Sequence, residues 1–349
     1  MTSRVTIQDI ADELGLSRNT VSKALNNGSG LADATRERII QKAVEMGYKQ
    51  FVYTNTATSL QTQAMSQPLA DIVGKHEIAL FSANFLGGSH FASLMLDSFQ
   101  NQIAQLGFSL SMHRVTPEQL ETLELPLTFR IERVAAILCI EMFDRKYDEM
   151  ICDLGLPTLF VDTPPKLGNK LLSADMLFMD NSSELTRLIK DVIAAGKARI
   201  GFIGDYDHCN SFNERFIAYH MAMVIADVPI DKRFIIKENK KAQILEELAK
   251  LDELPDMFVC ANDFVALDAL QALRDLGYDV PTDVWLSGFD DSGESRTCMP
   301  ALTTVHIHTQ IMAYMAVELL RTRIIEPSLD YRQVYTETNL RYRDSTPLS

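Results

Sequence analysis

Polar residues stand at the ends of three apolar runs that read as strands. Asp162 follows Leu159 to Val161, Asn262 and Asp263 follow Phe258 to Ala261, and Asp290 with Asp291 follows Leu286 to Phe289. Open α/β sheets bind ligands in the crevice beyond the carboxyl ends of their strands, so all three sets are expected to face a cleft. Asp and Asn at such places also cap the helix that follows the strand, and residue type alone does not separate the two roles. A second group of donors, Arg18, Asn19, Ser22 and Lys23, falls on the outward positions of a short helix whose inner stripe is Val21, Ala24 and Leu25. His306 and His308 alternate along a strand and share a face, but no acidic or thiol partner has ligand spacing nearby, and no metal site is expected. Gly201-Phe-Ile-Gly204 resembles half of a dinucleotide fingerprint without its strand-to-helix glycine spacing. No Gly-x-Ser-x-Gly, Walker lysine loop or paired catalytic motif occurs, which disfavours an enzyme.

The elements that must carry these residues follow from periodicity. Thr6 is placed to cap a helix, with Asp9 reaching back, and Ile7, Ile10, Ala11 and Leu14 share one face before Gly15 ends it. Ser17 caps the second helix. A third runs from about Ala34 to Met46, with Ile39, Ile40, Ala43 and Val44 inward and Gly47 as its exit. Residues 49–75 turn to Thr, Ser, Gln and Asn, which marks a linker. Strands are then expected at 77–83, 108–113, 134–140 and 157–161, alternating with helices at 90–106, 118–125 and 144–154. A second set has strands near 200–203, 233–237, 257–260, 285–288 and 303–306, with helices from about Ser183, Ser211, Ala242, Asp263 and Gln310. Repeated β-α-β units predict two doubly wound halves, each with a parallel sheet.

The 349 residues exceed what one ordinary domain carries, and 46% hydrophobic with 23% charged residues excludes a disordered or collagen-like chain. The longest apolar runs, such as Val134 to Ile140, are too short for a membrane span, and the first twenty residues are polar and periodic. A cytoplasmic protein with no membrane partner is expected. Cys139, Cys152, Cys209, Cys260 and Cys298 are scattered singly, with no Cys-x-x-Cys spacing, and read as reduced packing residues. The net charge of −14 would repel nucleic acid if evenly spread. It is not: residues 1–62 hold seven of the 33 basic side chains and only six of the 47 acidic ones, a near-neutral head on an acidic body.

The ordered motifs Val5-Thr-Ile-Gln-Asp-Ile-Ala-Asp-Glu-Leu-Gly-Leu-Ser17, Thr20-Val-Ser-Lys-Ala-Leu-Asn26, Thr35-Arg-Glu-Arg-Ile39 and Met46-Gly-Tyr48 resemble the DNA-binding head of the LacI/GalR family of bacterial repressors. The resemblance continues through Ala261-Asn-Asp263, Val280-Pro-x-Asp-Val284, Gly288-Phe-Asp-Asp291 and Pro300-Ala-Leu-Thr-Thr-Val305, covering essentially the whole chain. It implies an all-α helix-turn-helix head at 1–48, a linker with a hinge helix at 49–75, and an α/β periplasmic-binding-protein-like core at 76–349. The core would hold an N-subdomain of about 76–176 and 309–335 and a C-subdomain of about 177–308 and 336–349. The family's base-reading positions fall on Arg18, Asn19 and Lys23, whose donors suit guanine and adenine edges. Its phosphate-contacting positions fall on Thr6, Ser17, Thr20, Ser22, Asn26 and Thr35. After Tyr48 the chain departs from the family's Pro-Asn, and the hinge counterpart is Ala57-Thr-Ser-Leu60, with Ala57 and Leu60 at the minor groove and Leu60 as the wedge. Thr58 replaces the usual hinge arginine, and Ala32 replaces the serine that caps the third helix, shifting that role to Asp33.

In the core the resemblance maps effector contacts onto Asp162, Arg215, Asn262 and Asp290, with Phe85 or Phe91 lining the opposite wall and able to stack on a ring. Arg215 rises to notice only through the pattern Arg215-Phe-Ile-Ala-Tyr219. Carboxylates, a guanidinium and a carboxamide together suit the hydroxyls of a polyol. The reading is a homodimeric repressor of a palindromic double-stranded operator, controlled by a small ligand, a sugar or sugar derivative, without cofactor, metal or catalytic residues. The alternatives are the same scaffold answering to a purine-like corepressor or a protein partner, and, further off, a carbohydrate-modifying enzyme or a solute-binding protein.

Overall fold

A computed structural model describes residues 6–25, single positions between 35 and 46 (35, 38, 39, 42, 43 and 46), and residues 68–84, 90–166 and 170–348. Asn26, Asp33, Ala57, Leu60 and Phe85 lie outside the described residues, as do Ile40 and Val44 of the third-helix stripe; Phe91 is described in its backbone alone. The chain forms two compact units, residues 1–72 and 73–349.

In the first unit, α1 (Ile7–Leu14) opens with the expected capping box. The Asp9 N–H donates to Thr6 Oγ1 at 3.3 Å, and the Thr6 N–H donates to Asp9 Oδ2 at 2.7 Å. Two of the helix's unpaired amino-terminal groups are satisfied reciprocally. Gly15 closes the helix at φ 63°, where a side chain would be strained. α2 (Arg18–Leu25) follows at once, and the Thr20 N–H donates to Ser17 Oγ at 3.1 Å, so Ser17 caps it as expected. Ile10, Ala11, Val21, Ala24, Ile39 and Ala43 are buried together, leaving the polar side of α2 in water.

The second unit contains two parallel sheets. The first half is built from β1 (Glu77–Ser82), α4 (His90–Gln105), β2 (Ser109–Arg114), α5 (Pro117–Thr122), β3 (Val134–Ile140), α6 (Arg145–Asp153), β4 (Thr158–Val161) and β5 (Asp175–Met179), preceded by the short α3 (Leu69–Val73). The second runs through α7 (Ser183–Ala194), β6 (Ile200–Ile203), α8 (Asn210–Ile225), β7 (Ile235–Ile236), α9 (Lys241–Leu248), β8 (Met257–Cys260), α10 (Asp263–Asp275), β9 (Trp285–Ser287), α11 (Gly293–Thr297) and β10 (Thr304–Ile307). The chain then returns along α12 (Thr309–Ile325) to β11 (Gln333–Thr336) and ends through β12 (Thr338–Arg341).

The first sheet has the order β11-β5-β4-β3-β1-β2 and the second β7-β6-β8-β9, with every pair parallel. All seven residues of β3 are buried, as befits a central parallel strand covered on both faces. The chain passes between the halves after β5, after β10, and between β11 and β12. β5 keeps the first half running to Met179, beyond the expected break at 176.

Three strands depart from expectation. β10 was expected to extend the second parallel sheet, but it pairs antiparallel with β12, Thr304 opposite Arg341 and Ile307 opposite Thr338. Only isolated parallel bridges, Ser287 to Thr303 and Asp290 to His306, tie it to the region of β9. β5 and β11 were not expected: β5 carries the buried apolar run Met176–Met179 but opens on a buried carboxylate, Asp175, and β11 is mixed in polarity. Asp175 at the head of β5 accepts from Arg323 Nε at 3.0 Å and Arg332 Nη2 at 2.9 Å. A buried carboxylate needs such compensation, and here both partners lie about 150 residues further along the chain.

Gly201 and Gly204 serve packing and not a pyrophosphate: a Cβ at Gly201 would stand 2.7 Å from the Phe234 carbonyl. All five cysteines are free thiols. Among the described residues, no helix is long and apolar enough to cross a membrane.

Candidate functional site

The head presents one polar surface. Arg18, Asn19 and Lys23 on α2 are exposed, while Thr20 and Ser22 are half-buried beside them. The hydroxyls of Ser17 and Thr20 lie 2.7 Å apart, and the Thr6 hydroxyl donates to Asp9 Oδ2 at 2.8 Å. Thr6 and Ser17 thus sit at helix N-termini, where unpaired N–H groups and the helix dipole favour an anion such as phosphate. Thr35 is half-buried at a helical position.

In the core, a cavity of about 490 Å³ opens where the two sheets turn their carboxyl ends towards each other, and it is lined by Asp162, Arg215, Asn262 and Asp290 together. Each reaches it by a different local device. Asp162 ends β4 at φ 63°, and its Oδ1 accepts the Thr163 N–H at 2.8 Å and the Ser211 N–H of α8's first turn at 3.2 Å. It therefore bridges the two halves. Burial pushes its carboxyl above the usual range against the pull of those donors. Asn262 caps α10: its Oδ1 accepts the Val265 N–H at 2.9 Å, which leaves the amide NH2 as the group to offer a ligand.

Arg215 lies on α8 and is only 3% exposed. Its Nε–H donates to Asn181 Oδ1 at 2.9 Å, Nη1 donates to the Ala261 carbonyl at 2.7 Å, and the guanidinium stacks 3.6 Å above the Phe289 ring. Asp290 stands 3.6 Å from Arg215 Nη2 and holds a φ of 115°. Burial pushes its carboxyl up to about 8, although Arg215 pulls it down. Unlike Asn262 and Asp162, Asp290 caps no helix; the next helix, α11, is capped by Ser292.

Two of the strand-end carboxylates expected at the cleft are turned away from it. Asp263 is fully buried, accepting from Thr304 Oγ1 at 2.6 Å and from the Ser292 N–H at 2.7 Å. Gly288 allows this, since a Cβ there would overlap Asp263 Oδ1. Asp291 is held by Arg296 at 2.7 Å, by Arg343, and by His306 Nδ1 at 2.9 Å. Asp263 already belongs to the first turn of α10, and Asp291 turns at φ 56° into its arginine and histidine partners, so neither side chain continues towards the cavity. His306 of β10 and His308, which follows the strand, take separate partners: His308 Nε2 is 2.7 Å from Asn339 Oδ1.

The cavity also contains residues that the sequence did not bring forward. Asn84 and Glu141 stand beyond β1 and β3, where the strand-end argument applied to Asp162 would have found them. Phe143, His208, Phe212, Asn239 and Phe264 lie in loops or early helical turns. The rings of Phe143 and His208 meet edge-on at 5.1 Å across the cleft, and burial lowers the imidazole's proton affinity. Phe143, Phe212 and Phe264 give the cavity an aromatic surface of its own, while Phe85 and the Phe91 side chain lie outside what is described.

The same division appears in comparisons with known proteins. Residues 6–50 match the model for bacterial regulatory proteins of the lacI family, and residues 189–346 match that for a periplasmic binding protein-like domain. The chain is 27% identical to the HTH-type transcriptional regulator RegA of Clostridium saccharobutylicum, covering 97% of this chain and 98% of that protein. It is 25% identical to a probable HTH-type transcriptional repressor, ExuR, of Bacillus subtilis, over 98% of each. Among solved structures, the fold resembles the transcriptional regulator CelR in complex with cellobiose (TM-score 0.67, 22% identity, 98% of this chain and 100% of that one). It also resembles the lac repressor dimer bound to operator and the anti-inducer ONPF (TM-score 0.63, 19% identity, 99% of each). A helix-turn-helix head joined to a two-sheet core with one cleft, matched end to end by such regulators, makes this chain a member of the LacI family of DNA-binding transcriptional regulators.

Proposed function

We propose that the chain is a homodimeric, cytoplasmic repressor whose hold on a palindromic operator is set by an uncharged sugar, or a closely related polyol, bound between the two core halves. The convergence of Asp162, Arg215, Asn262 and Asp290 on one cavity carries the reading. These groups combine acceptors, a guanidinium and an amide within an aromatic wall, which is the chemistry that orients hydroxyls on an apolar ring.

Charge narrows the ligand class. With Asp290 neutral, Glu141 and Asp162 remain as the acidic groups of the cavity against one guanidinium already engaged by Asn181, Ala261 and Asp290, with Lys240 exposed at its edge. A sugar acid or phosphate would bring a further anion to this acidic wall. With its carboxyl raised to about 8, Asp290 is mostly protonated at neutral pH and can donate to a ligand oxygen.

On DNA, Arg18, Asn19 and Lys23 read base edges in the major groove, and Thr6, Ser17, Thr20, Ser22, Asn26 and Thr35 fix register on phosphates. Ala57 and Leu60 serve the minor groove at the operator centre. One such head reads only a few base pairs, so two related by a two-fold axis are required. The test is a thermal-shift screen of the full chain against neutral sugars, sugar phosphates, nucleosides and purines, since a ligand that binds the native state stabilises it by mass action. A neutral-sugar hit that disappears in Asp290→Ala supports the reading. A purine hit transfers the cleft to a corepressor, and hits confined to phosphates or sugar acids overturn the charge argument.

A further inference from the structure

A line of polar contacts leaves the cavity and crosses to the first half of the core. Arg215 Nε–H donates to Asn181 Oδ1 at 2.9 Å, and Asn181 Nδ2 donates to Glu214 Oε2 at 2.8 Å. The other oxygen of Glu214 accepts the Tyr335 hydroxyl at 2.7 Å and lies 3.6 Å from Lys166 Nζ. Arg215 and Glu214 belong to α8 in the second half, and Asn181 lies in the loop between β5 and α7, where the chain crosses between the halves. Tyr335 belongs to β11 at the edge of the first sheet, and Lys166 is fastened to that sheet by Gln333 at 3.0 Å, by the Tyr335 hydroxyl at 2.9 Å and by the Phe178 ring at 3.9 Å.

The Asn181 carboxamide has one orientation that fits this line, with oxygen towards the guanidinium and NH2 towards the carboxylate; turned over, donor would face donor and acceptor would face acceptor. Asn181 is 2% exposed and Arg215 3%, so neither can exchange a lost partner for bulk water at low cost. Glu214 and Lys166 each keep 24% of their side-chain surface exposed, and this end of the line can break and re-form. Because hydrogen bonds weaken steeply beyond about 3.5 Å, a shift of about 1 Å of β11 against α8 would free Glu214.

We propose that Glu214, Tyr335 and Lys166 are positioning residues for Arg215, which through Asn181 aligns its guanidinium according to the relative placement of the two halves. The proposal rests on Arg215 as a cleft group and concerns how its orientation is set. A movement between the halves then changes the donors offered to a ligand, and a ligand that fixes those donors favours one placement.

The experiment uses the full chain labelled with 15N-arginine and no ligand, so its outcome is independent of which molecule the cleft accepts. The Arg215 Nε–H resonance is identified by its disappearance in Arg215→Lys, and its exchange with water is measured. Tyr335→Phe removes one hydroxyl distant from Arg215 and is expected to speed that exchange roughly tenfold, the scale of a lost hydrogen bond to a charged group. Lys166→Met should act in the same direction, and Tyr314→Phe, on an exposed tyrosine of α12, should not. Exchange within twofold of the parent in both Tyr335→Phe and Lys166→Met, whatever their melting temperatures, would show that the contacts only fasten β11 to α8 and overturn the proposal.

Discussion

Asp290 differs from Asp162 and Asn262 in having no helix to cap, one charged partner at 3.6 Å and a φ of 115°, further from the left-handed helical region than the 63° of Asp162. A φ of 115° costs of order 1–3 kcal/mol, which the surrounding structure must offset. Protonated below about 8, its carboxyl can donate to a ligand oxygen, whereas the ionised form cannot. If the bound state holds that proton, ligand affinity is level at lower pH and falls about tenfold per pH unit above about 8. Asp290→Asn, whose amide donates at every pH, should give a level profile when titrated calorimetrically between pH 6 and 9.5; affinity that rises with pH in the parent would instead make the carboxylate an acceptor. On the DNA side, Arg18→Ala should cost about 1–3 kcal/mol at one base position and relax specificity there, measured by anisotropy across operator variants; an unchanged preference would return Arg18 to the solvated surface. The four cleft residues were legible because strand ends and the Arg215 pattern mark them locally. Glu141 was accessible to the same rule and was missed, while His208 and Asn239 enter by loop paths that no periodicity encodes. Asp263 and Asp291 share the type and place of their neighbours, and what separates them is long-range: Thr304 and Ser292 hold Asp263, and Arg296, His306 and Arg343 hold Asp291.

Among the elements, α6 hides an unexpected cost. Asp148 on its inner face is fully buried, and neither carboxylate oxygen has a hydrogen-bond partner. Burial pushes this carboxyl up to about 9, with Asp144 adding to the shift. In the unfolded chain it titrates near the ordinary carboxylate value of about 3.9. Between those values the folded state holds a proton that the unfolded state has released, so stability falls as pH rises, by up to about 1.4 kcal/mol per unit. Asp290 contributes the same sign over a similar range. Asp148→Asn removes the larger share and should gain about 2–4 kcal/mol at pH 8, with a flatter dependence on pH in urea unfolding; equal slopes for parent and variant would mean that Asp148 finds a partner in solution. Helices with stripes and caps, such as α1 and α2, were readable because their stabilising contacts lie within four residues. The apolar strands β1, β3 and β8 were readable from composition. β5 carries the same kind of run, Met176–Met179, and was missed, while the ion cluster that anchors its Asp175 draws on arginines about 150 residues away; β10 was assigned to the wrong sheet because its partner β12 follows only after a helix and another strand.

For the whole molecule, the near-neutral head and the acidic body set two opposing demands. A chain of net charge −14 approaches DNA against long-range repulsion, so affinity must come from short-range contacts made by the head. Control by a ligand then requires that the cleft and the operator be linked through a shared conformational equilibrium, and linkage is reciprocal. A sugar that changes operator affinity by some factor must have its own affinity changed by the same factor when operator is present, typically about 5- to 150-fold. Two titrations at one salt and pH check this: operator duplex by anisotropy with and without saturating sugar, and sugar by calorimetry with and without saturating duplex. Salt must be matched because phosphate contacts alone change operator affinity steeply. A factor different from one shows that sugar and operator binding are linked, its equality in the two titrations shows that one equilibrium is read from both sides, and its direction tells release from capture. If the chain acts as the proposed dimer, a duplex with a single half-site should bind far more weakly, because it engages one head only. A sugar that binds the cleft but leaves operator affinity unchanged on the full palindrome would separate ligand from control, and the regulatory signal would then have to enter through another surface of the core.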